Sequence, residues 1–254
     1  MENPLEGTVA LITGASSGIG EATARALAAE GAKVAVVARR LERLERLAAE
    51  IGGGGHTALA IQADITEPAQ AIEAVGRTAD ELGGLDVLVN NAGVMLLGPI
   101  ENAPTEEWDR MIDLNLKALV NTTHAALPHL LDAARESGRG CADVVNISSV
   151  AGRVARAGSG VYNLTKHGVG AFSESFRQEF ASRRVRATLI EPGAVATELT
   201  DHLRDEVREV LDERLADVHR LEAEDISEAI AFAVTRPWHV CVNEILIRPT
   251  EQVG

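Results

Sequence analysis

Residues 8–20 read TVALITGASSGIG, and this stretch decides the fold of the chain. Residues 8–12 form a short apolar run, which is typical of a fully buried strand. A helical pattern follows over residues 21–30 and ends at Gly31. The glycines at 14, 18 and 20 permit a tight turn and let backbone amides approach a pyrophosphate at a helix N-terminus, where the dipole is positive. The spacing of these glycines is G-x-x-x-G-x-G rather than G-x-G-x-x-G. A strand, a glycine turn and a helix in succession are nevertheless the context that a dinucleotide site requires. The alternative interpretation is a flexible loop.

The rest of the chain continues the same alternation of strands and helices. We predict further strands at residues 33–38, 56–62, 87–89, 143–148, 186–191 and 244–248, with helices between them. A long helix is predicted from Pro104 towards Arg135, bent at Pro128. The pattern predicts an α/β fold: a single-domain Rossmann fold over residues 1–254, with a doubly wound parallel sheet of about seven strands flanked by helices. Apolar residues at helical spacing over about 198–221 predict an amphipathic segment that covers the substrate.

The bulk composition excludes several classes of partner. The 254 residues carry a net charge of −14, which argues against nucleic acid and anionic membranes. Cys141 and Cys241 lack metal-like spacing, so we predict free thiols in a reducing compartment and no metal site. No apolar run approaches the roughly 20 residues of a membrane span. A strand begins by Thr8, which leaves no room for a signal peptide, and a cytoplasmic location is expected.

The end of the second strand bears on the choice of dinucleotide. Residue 38, eighteen positions after Gly20, is Ala where an NAD site would carry an acid for the ribose 2′-hydroxyl. Arg39 and Arg40 follow, and a planar guanidinium can bind a 2′-phosphate. These residues favour NADP(H), although both arginines could simply open the charged helix at 41–51.

Tyr162 and Lys166 stand four residues apart at the start of an amphipathic run that ends near Arg183. Positions four apart share a helix face, so the phenol and the ammonium can meet. A nearby cation favours the phenolate and would lower the tyrosine pKa towards the working pH of an acid/base catalyst. A solvated surface pair is the alternative interpretation.

Polar and small residues follow several predicted strands and should meet at one sheet edge, because ligands of parallel sheets bind at the carboxyl ends of the strands. They are Asp64, the turn Asn90–Gly93, Ser148 with Ser149, and the segment Pro192–Thr197. Asp64 could accept a hydrogen bond from an adenine amino group or cap the next helix. Asn115 lies within the long helix, either as a tolerated polar residue or with its amide facing the site and holding a water.

The chain resembles the short-chain dehydrogenase/reductase family over essentially its full length. The matching motifs are TGASSGIG (13–20), NNAG (90–93), Asn115, Ser149, YNLTK (162–166) and Pro192-Gly193 with Thr197. Within the family it looks closest to NADP-dependent reductases of the clavulanic acid dehydrogenase type, with which it shares residues 95–99 and the ending at 247–250. The resemblance implies a dimer or tetramer, although the C-terminus departs from the commoner Val-Asp-Gly-Gly ending.

The resemblance also implies roles for individual residues. Tyr162 would donate the proton, Ser149 would hydrogen-bond the carbonyl oxygen, Lys166 would hold the ribose, and Asn115 would fix a water linked to Lys166. Thr197 would hold the nicotinamide carboxamide. The cofactor-binding residues implied are Gly14, Ser16, Ser17, Gly18, Ile19, Gly20, Arg39, Arg40, Asp64, Ile65, Asn91, Ala92, Gly93, Tyr162, Lys166, Pro192, Gly193, Val195 and Thr197.

For the substrate we predict a small carbonyl or alcohol compound. Met95 and Leu96 could form an apolar wall, and Arg153 or Arg156 could bind a substrate carboxylate. The alternative for both arginines is that they point to solvent or pair with acids of residues 198–228 or of a neighbouring subunit. Activity like that of a serine or 3-hydroxy acid dehydrogenase, an epimerase that uses the same tyrosine and lysine, and a non-catalytic dinucleotide sensor are the other functional hypotheses.

Overall fold

The buried runs of the sequence form one seven-stranded sheet in which all neighbouring strands are parallel. The computed structural model describes residues 3–253. The strands are β1 (Val9–Thr13), β2 (Lys33–Ala38), β3 (Ala58–Gln62), β4 (Val87–Asn90), β5 (Ala142–Ile147), β6 (Val185–Pro192) and β7 (Glu244–Ile247). Their order in the sheet is β3-β2-β1-β4-β5-β6-β7. The predicted doubly wound Rossmann fold is confirmed.

Helices cover both faces of this sheet. They are α1 (Gly18–Ala29), α2 (Leu41–Gly53), α3 (Pro68–Leu82), α4 (Thr105–Ile112), α5 (Leu119–Glu136), α6 (Gly160–Phe180), α7 (Asp205–Arg214) and α8 (Ala223–Val234). Short 3₁₀ helices lie at Ile100–Asn102, Val150–Gly152, Ala181–Arg183 and Glu198–His202. No helix of residues 3–253 has both the length and the apolar character needed to cross a bilayer.

Alternate residues of each strand belong to two different cores. Val9 and Leu11 of β1 pack in a core with α3, α5 and α6, whereas Ala10 and Ile12 pack in a second core with α1, α2 and α8. Every residue of β1 is therefore buried, which explains why this strand is a continuous apolar run instead of an alternating one. The two cores fix the sheet rigidly beneath the loops at its edge.

The chain reverses its direction of travel across the sheet at β1. It proceeds from β1 outward to β2 and β3, then returns to place β4 on the other side of β1. Such a switch point opens a crevice beyond the carboxyl ends of the two central strands. The glycine turn after β1 and the Asn-Asn-Ala-Gly turn after β4 both line that crevice.

Two of the predicted helices differ from the structure. The long helix is not uniform: a π-helical stretch, Asp113–Ala118, separates α4 from α5, and the chain continues helically through Pro128. The amphipathic segment at 198–221 is α-helical only over α7, in which no residue is buried and Val210 is 66% exposed. The apolar residues at helical spacing in α7 therefore do not form a buried face. The charged residues of α7 pair with each other, as Arg208 does with Asp205.

Candidate active site

A cleft of about 340 Å³ lies at the switch point, along the carboxyl ends of the central strands. Nearly all predicted cofactor residues line it, together with Ser149. They are Gly14, Ser16, Ser17, Gly18, Ile19, Arg39, Arg40, Asp64, Ile65, Asn91, Ala92, Gly93, Tyr162, Lys166, Pro192, Gly193, Val195 and Thr197. The structure therefore brings one group of residues, separated by up to 183 positions in the chain, to a single cavity.

The floor of the cleft is the glycine turn, which is fastened to the turn after β4. Gly14 has a φ of +67°, and a Cβ on it would lie 2.7 Å from the Ala92 Cα. A Cβ on Gly20 would lie 2.5 Å from the Asn91 Nδ2, which explains why Gly20 packs beneath the turn instead of lining the cavity. The Asn91 side chain donates to the Thr13 carbonyl at 2.9 Å. Glycine is required here because the two turns touch through their backbones.

One end of the cleft is basic. The Arg40 guanidinium donates to the Ser16 hydroxyl at 2.9 and 3.0 Å and to the Ser17 hydroxyl at 2.8 Å, so its position is fixed against the glycine turn. Arg39 is more exposed, and its Nη1 lies 4.0 Å from an oxygen of Asp64. The other Asp64 oxygen accepts from the Thr66 amide and hydroxyl, so this acid stabilises the turn before α3.

At the other end, Ser149 and α6 bring three polar side chains together. Tyr162 and Lys166 lie one turn apart on α6 and are both buried, as the helical spacing predicted. The Lys166 ammonium lies 5.8 Å from the centre of the Tyr162 ring and donates to the Ile147 carbonyl at 2.9 Å. Ser149 follows β5, and its hydroxyl lies within hydrogen-bonding distance of the Pro192 carbonyl at 3.4 Å. The arrangement places a phenol, a hydroxyl and an ammonium around one end of the cavity.

The charge states of this pair correct the prediction for Tyr162. Burial raises the pKa of Tyr162 to about 12, and a hydrogen bond with Ser149 only partly offsets this. Burial also lowers the pKa of Lys166 to about 8. The expected lowering of the tyrosine pKa is therefore wrong for the protein alone, because desolvation outweighs the attraction of an ammonium that is turned towards the Ile147 carbonyl. At neutral pH the phenol carries its proton.

The buried Lys166 should make stability depend on pH. Its pKa falls from 10.5 to about 8 on folding, a shift worth about 3 kcal/mol when the ammonium is charged. The folded chain holds fewer protons than the unfolded chain between those pH values, so stability rises as pH increases through that window. In urea titrations between pH 7 and about pH 10.5, we expect the unfolding free energy of wild type to rise by about 3 kcal/mol relative to that of Lys166→Met. The unfolding free energy of the variant minus that of wild type therefore falls by the same amount.

A matched control for this measurement is Lys117→Met. The Lys117 ammonium is exposed and pairs with Asp113, which raises its pKa instead of lowering it. The unfolding free energy of Lys117→Met, minus that of wild type, should not fall over the same window, because a raised pKa makes the wild type lose stability as pH rises. A difference for Lys166→Met that stays constant with pH would contradict a buried, weakly basic Lys166.

Asn115 does not face the cleft, contrary to the prediction that its amide holds a water. Its Oδ1 accepts from the Val94 amide at 2.8 Å, and its Nδ2 donates to the Val94 carbonyl at 2.9 Å and to the Thr165 hydroxyl at 3.2 Å. The side chain is 1% exposed. These three bonds occupy the amide, so Asn115 fixes the chain after the Asn-Asn-Ala-Gly turn to α6.

The structure also corrects the substrate role of Arg153. Its Nε donates to both carboxylate oxygens of the buried Glu191 at 2.7 Å, and its guanidinium pairs with Glu244 as well. Two carboxylates therefore occupy the group that was expected to bind a substrate acid. Arg156 lies outside the cavity lining, where its backbone amide donates to the Asn163 side chain at 3.2 Å.

The prediction that Met95 and Leu96 form an apolar wall of the substrate site is wrong, because both pack behind Tyr162. Leu96 is 5% exposed and packs in a cluster with Val94, Met111 and Tyr162, while Met95 packs at the margin of that cluster. Neither lines the cavity. Glu198, Leu199 and His202 belong to the segment that was predicted to cover the substrate, and they line the cavity, although none of them was predicted to be a site residue. The signal for these residues in the sequence is their position directly after Thr197, whereas the helical spacing of apolar residues points to the later part of the segment.

Comparison with known proteins identifies the family to which the chain belongs. The sequence profile of the short chain dehydrogenase family matches residues 8–208. The chain belongs to the short-chain dehydrogenase family. The chain is 39% identical to an uncharacterized oxidoreductase of Staphylococcus saprophyticus, with 98% of this chain and 99% of that protein covered. As a short-chain dehydrogenase it is an oxidoreductase.

Solved structures of short-chain dehydrogenases share the whole fold. A closed form of serine dehydrogenase complexed with NADP⁺ is 34% identical and superposes with a TM-score of 0.88 over 97% of both chains. The 3-ketoacyl-(acyl-carrier-protein) reductase from Brucella melitensis, complexed with NADH, is 30% identical with a TM-score of 0.86 over 98% of this chain and all of that one. Relatives thus bind a nicotinamide dinucleotide with or without the 2′-phosphate. The clavulanic acid dehydrogenase-like subtype stays a prediction.

Proposed function

We propose that this short-chain dehydrogenase is an NADP(H)-dependent oxidoreductase that reduces a small aldehyde or ketone, or oxidises the matching alcohol. The observation that carries the proposal is that two groups of residues line the same cleft. The glycine turn and Arg40 lie at one end, and Ser149, Tyr162 and Lys166 lie at the other. A dinucleotide is long enough to need both a phosphate cradle and a distant reaction centre. We further propose that residues 1–254 act as one catalytic domain and assemble as a homo-oligomer.

The residues present fit a phosphorylated nicotinamide dinucleotide. The glycine turn packs so closely against Ala92 and Thr197 that a Cβ on Gly14 or Gly18 would collide, and it leads into the N-terminus of α1, where backbone amides can bind phosphate oxygens. Arg40 offers a guanidinium beside that turn, and no acid occupies position 38. Asp64 and Ile65 line the cleft as well, and so do Pro192, Gly193, Val195 and Thr197, which would hold the nicotinamide portion. When bound, NADPH supplies the hydride.

The chemistry of the protein itself is proton donation. The pKa of Tyr162 is raised to about 12, so the phenol is protonated at neutral pH and can give its proton to a carbonyl oxygen that gains a hydride. Ser149 can hydrogen-bond the same oxygen and stabilise the developing negative charge. Lys166 carries a positive charge below about pH 8 and can stabilise the phenolate that remains. Leu96 and Met111 keep the phenol ring in place.

A serine or 3-hydroxy acid dehydrogenase activity is the second candidate. The similarity to a serine dehydrogenase favours it. Against it stands the engagement of Arg153 with Glu191 and Glu244, which removes the best candidate for binding a substrate carboxylate. His202, which lines the cleft, would then have to donate a hydrogen bond to the acid.

A substrate panel tests both candidates and the remaining alternatives. Purified protein is mixed with NADPH or NADH and with aldehydes, ketones and 3-oxo acids, and with serine and 3-hydroxy acids plus NADP⁺, while nicotinamide absorbance is followed. Turnover of uncharged carbonyls supports the first candidate, and preference for the acids supports the second. Tight cofactor binding without turnover of any compound would favour a dinucleotide sensor. Product epimerisation without net absorbance change would favour an epimerase.

Arg40 should determine the preference for the 2′-phosphate. A hydrogen bond to a charged group contributes about 1.5–3 kcal/mol, which corresponds to roughly 10- to 150-fold. We expect Arg40→Leu to lower kcat/KM for NADPH by that factor and to change kcat/KM for NADH by less than about threefold. Arg46→Leu, an equal change of charge on α2, is the control and should leave the preference intact. Equal losses with both cofactors would refute a phosphate-binding Arg40.

A further inference from the structure

Glu198 occupies an unexpected position at the basic end of the cleft. It begins the 3₁₀ helix after Thr197, and its carboxylate receives hydrogen bonds from Arg40 Nη1 at 2.8 Å and from Arg43 Nη1 at 2.6 Å. The two arginines lower the pKa of Glu198 to about 2, so the carboxylate is charged throughout the physiological range. An acid 158 positions along the chain from Arg40 thus fills the anion-binding position beside the glycine turn.

Every nitrogen of the Arg40 guanidinium donates in this arrangement, and four of its five N–H groups are used. Its Nε and Nη2 donate to Ser16 and Ser17, and its Nη1 donates to Glu198. A phosphate that binds at Nη1 finds one free N–H group there and gains the second only by taking it from the Glu198 carboxylate. A phosphate and a carboxylate that share one guanidinium would also repel each other. The two anions therefore compete for the Nη1 edge of Arg40.

Glu198 belongs to a segment that crosses the mouth of the cleft, which we call the strap, residues 197–204. At its far end Leu203 is buried, and Arg204 lies 3.3 Å from Glu107 and donates to the Leu97 carbonyl. Leu199 and His202 lie between the two anchors and line the cavity. The strap is therefore fastened at the adenosine end by Glu198 and at the substrate end by Arg204.

We propose that Glu198 is a built-in competitor for the 2′-phosphate of the cofactor. A phosphorylated dinucleotide displaces the carboxylate and releases the first anchor of the strap, whereas an unphosphorylated one leaves that anchor closed. The inference rests on the proposed NADP(H) dependence and adds to it a residue that sets the affinity for the phosphate. The position of the strap, and of Leu199 and His202 within it, therefore depends on whether the bound cofactor carries a 2′-phosphate.

The test uses two cofactor fragments that lack nicotinamide, so that catalysis plays no part. Binding of adenosine 2′,5′-bisphosphate and of adenosine 5′-monophosphate to the full chain is measured by titration calorimetry, for wild type and for Glu198→Gln. Glutamine keeps the shape and removes the charge. Each exposed ion pair changes an equilibrium constant by at most about fivefold, so we expect the Kd of the bisphosphate to fall about 3- to 10-fold. The Kd of the monophosphate should change by less than about 1.5-fold.

Glu206→Gln is the matched control, because it changes the net charge equally while the Glu206 carboxylate faces Arg204 at 3.4 Å. It should leave both Kd values unchanged. Weaker bisphosphate binding by Glu198→Gln, or equal changes for both fragments, would overturn the competitor role and mean that Glu198 holds the arginines in place for the phosphate.

The same measurements separate this inference from the proposed cofactor. If wild type does not prefer the bisphosphate but Glu198→Gln does, the NADP(H) assignment fails and the competitor role stands. If wild type prefers the bisphosphate and Glu198→Gln binds it no more tightly, only the competitor role fails. A lack of preference in both proteins overturns both.

Discussion

Tyr162→Phe lowers kcat by at least about 10²–10⁴-fold, the usual contribution of general acid/base catalysis, if the phenol donates the proton. The substitution keeps the ring that packs with Leu96 and Met111, so the fold and the affinity for NADPH should be preserved. The measurement is steady-state turnover of the best carbonyl from the substrate panel, with cofactor affinity followed by NADPH fluorescence. Near wild-type turnover would exclude Tyr162 as the proton donor.

The charge state of the donor can be measured directly, because Tyr162 is the single tyrosine of the sequence. The near-ultraviolet absorbance of tyrosinate therefore reports this residue alone. We expect the protein without cofactor to titrate with a pKa of about 12, two units above the ordinary value of 10.0, because burial disfavours the phenolate. A midpoint near or below 10 would mean that Lys166 already stabilises the phenolate in the free protein.

Asp143→Ala should produce the largest loss of stability. Asp143 lies at the start of β5, where its carboxylate accepts from Arg186 at 2.7 and 2.9 Å and from Arg139 at 2.7 Å. The side chains of Asp143 and Arg186 are 2% and 5% exposed. Removing one partner of a buried pair leaves the other charge uncompensated, so we expect a loss of about 3–5 kcal/mol in the free energy of unfolding measured with urea.

The exposed pair of Asp132 and Arg135 on α5 provides the comparison for this experiment. Asp132→Ala should cost less than about 1 kcal/mol, because solvent screens the pair. Asp143 lies at the amino ends of the strands, opposite the cleft, so its variant should keep wild-type kcat at temperatures where it is folded. A loss below about 1 kcal/mol for Asp143→Ala would show that the carbonyl groups around Arg186 suffice to hold it.

Several elements of the cleft could be predicted from the sequence because they depend on local patterns. The glycine turn between β1 and α1 is one, since three glycines between a buried run and a helix leave few other structures. The meeting of Tyr162 and Lys166 is another, since a spacing of four fixes a shared face on any helix. Ser149 was placed correctly because it ends a strand, and strands of a parallel sheet end at one edge.

The predictions that failed depended on partners far away in the chain. The Arg153 side chain has the right chemistry for a substrate carboxylate, but β6 presents a buried Glu191 to it from 38 positions away. The amide of Asn115 could have faced either way, and the backbone of Val94 decided its direction. The pKa of Tyr162 depends on how deeply the phenol is buried, and the spacing of residues along the chain does not show that depth.

The sequence by itself determined the succession of strands and helices along the chain, the glycine turn and the shared helix face of Tyr162 and Lys166. These follow from periods of two and about 3.6 residues and from glycines at fixed positions, which act within a few residues of chain. Only the tertiary structure decided which charges meet and how deeply they are buried. The pairing of Glu198 with Arg40 and the displacement of the Tyr162 and Lys166 pKa values arise from distances between separate elements, because desolvation and Coulomb attraction depend on separation in space and not on position along the chain.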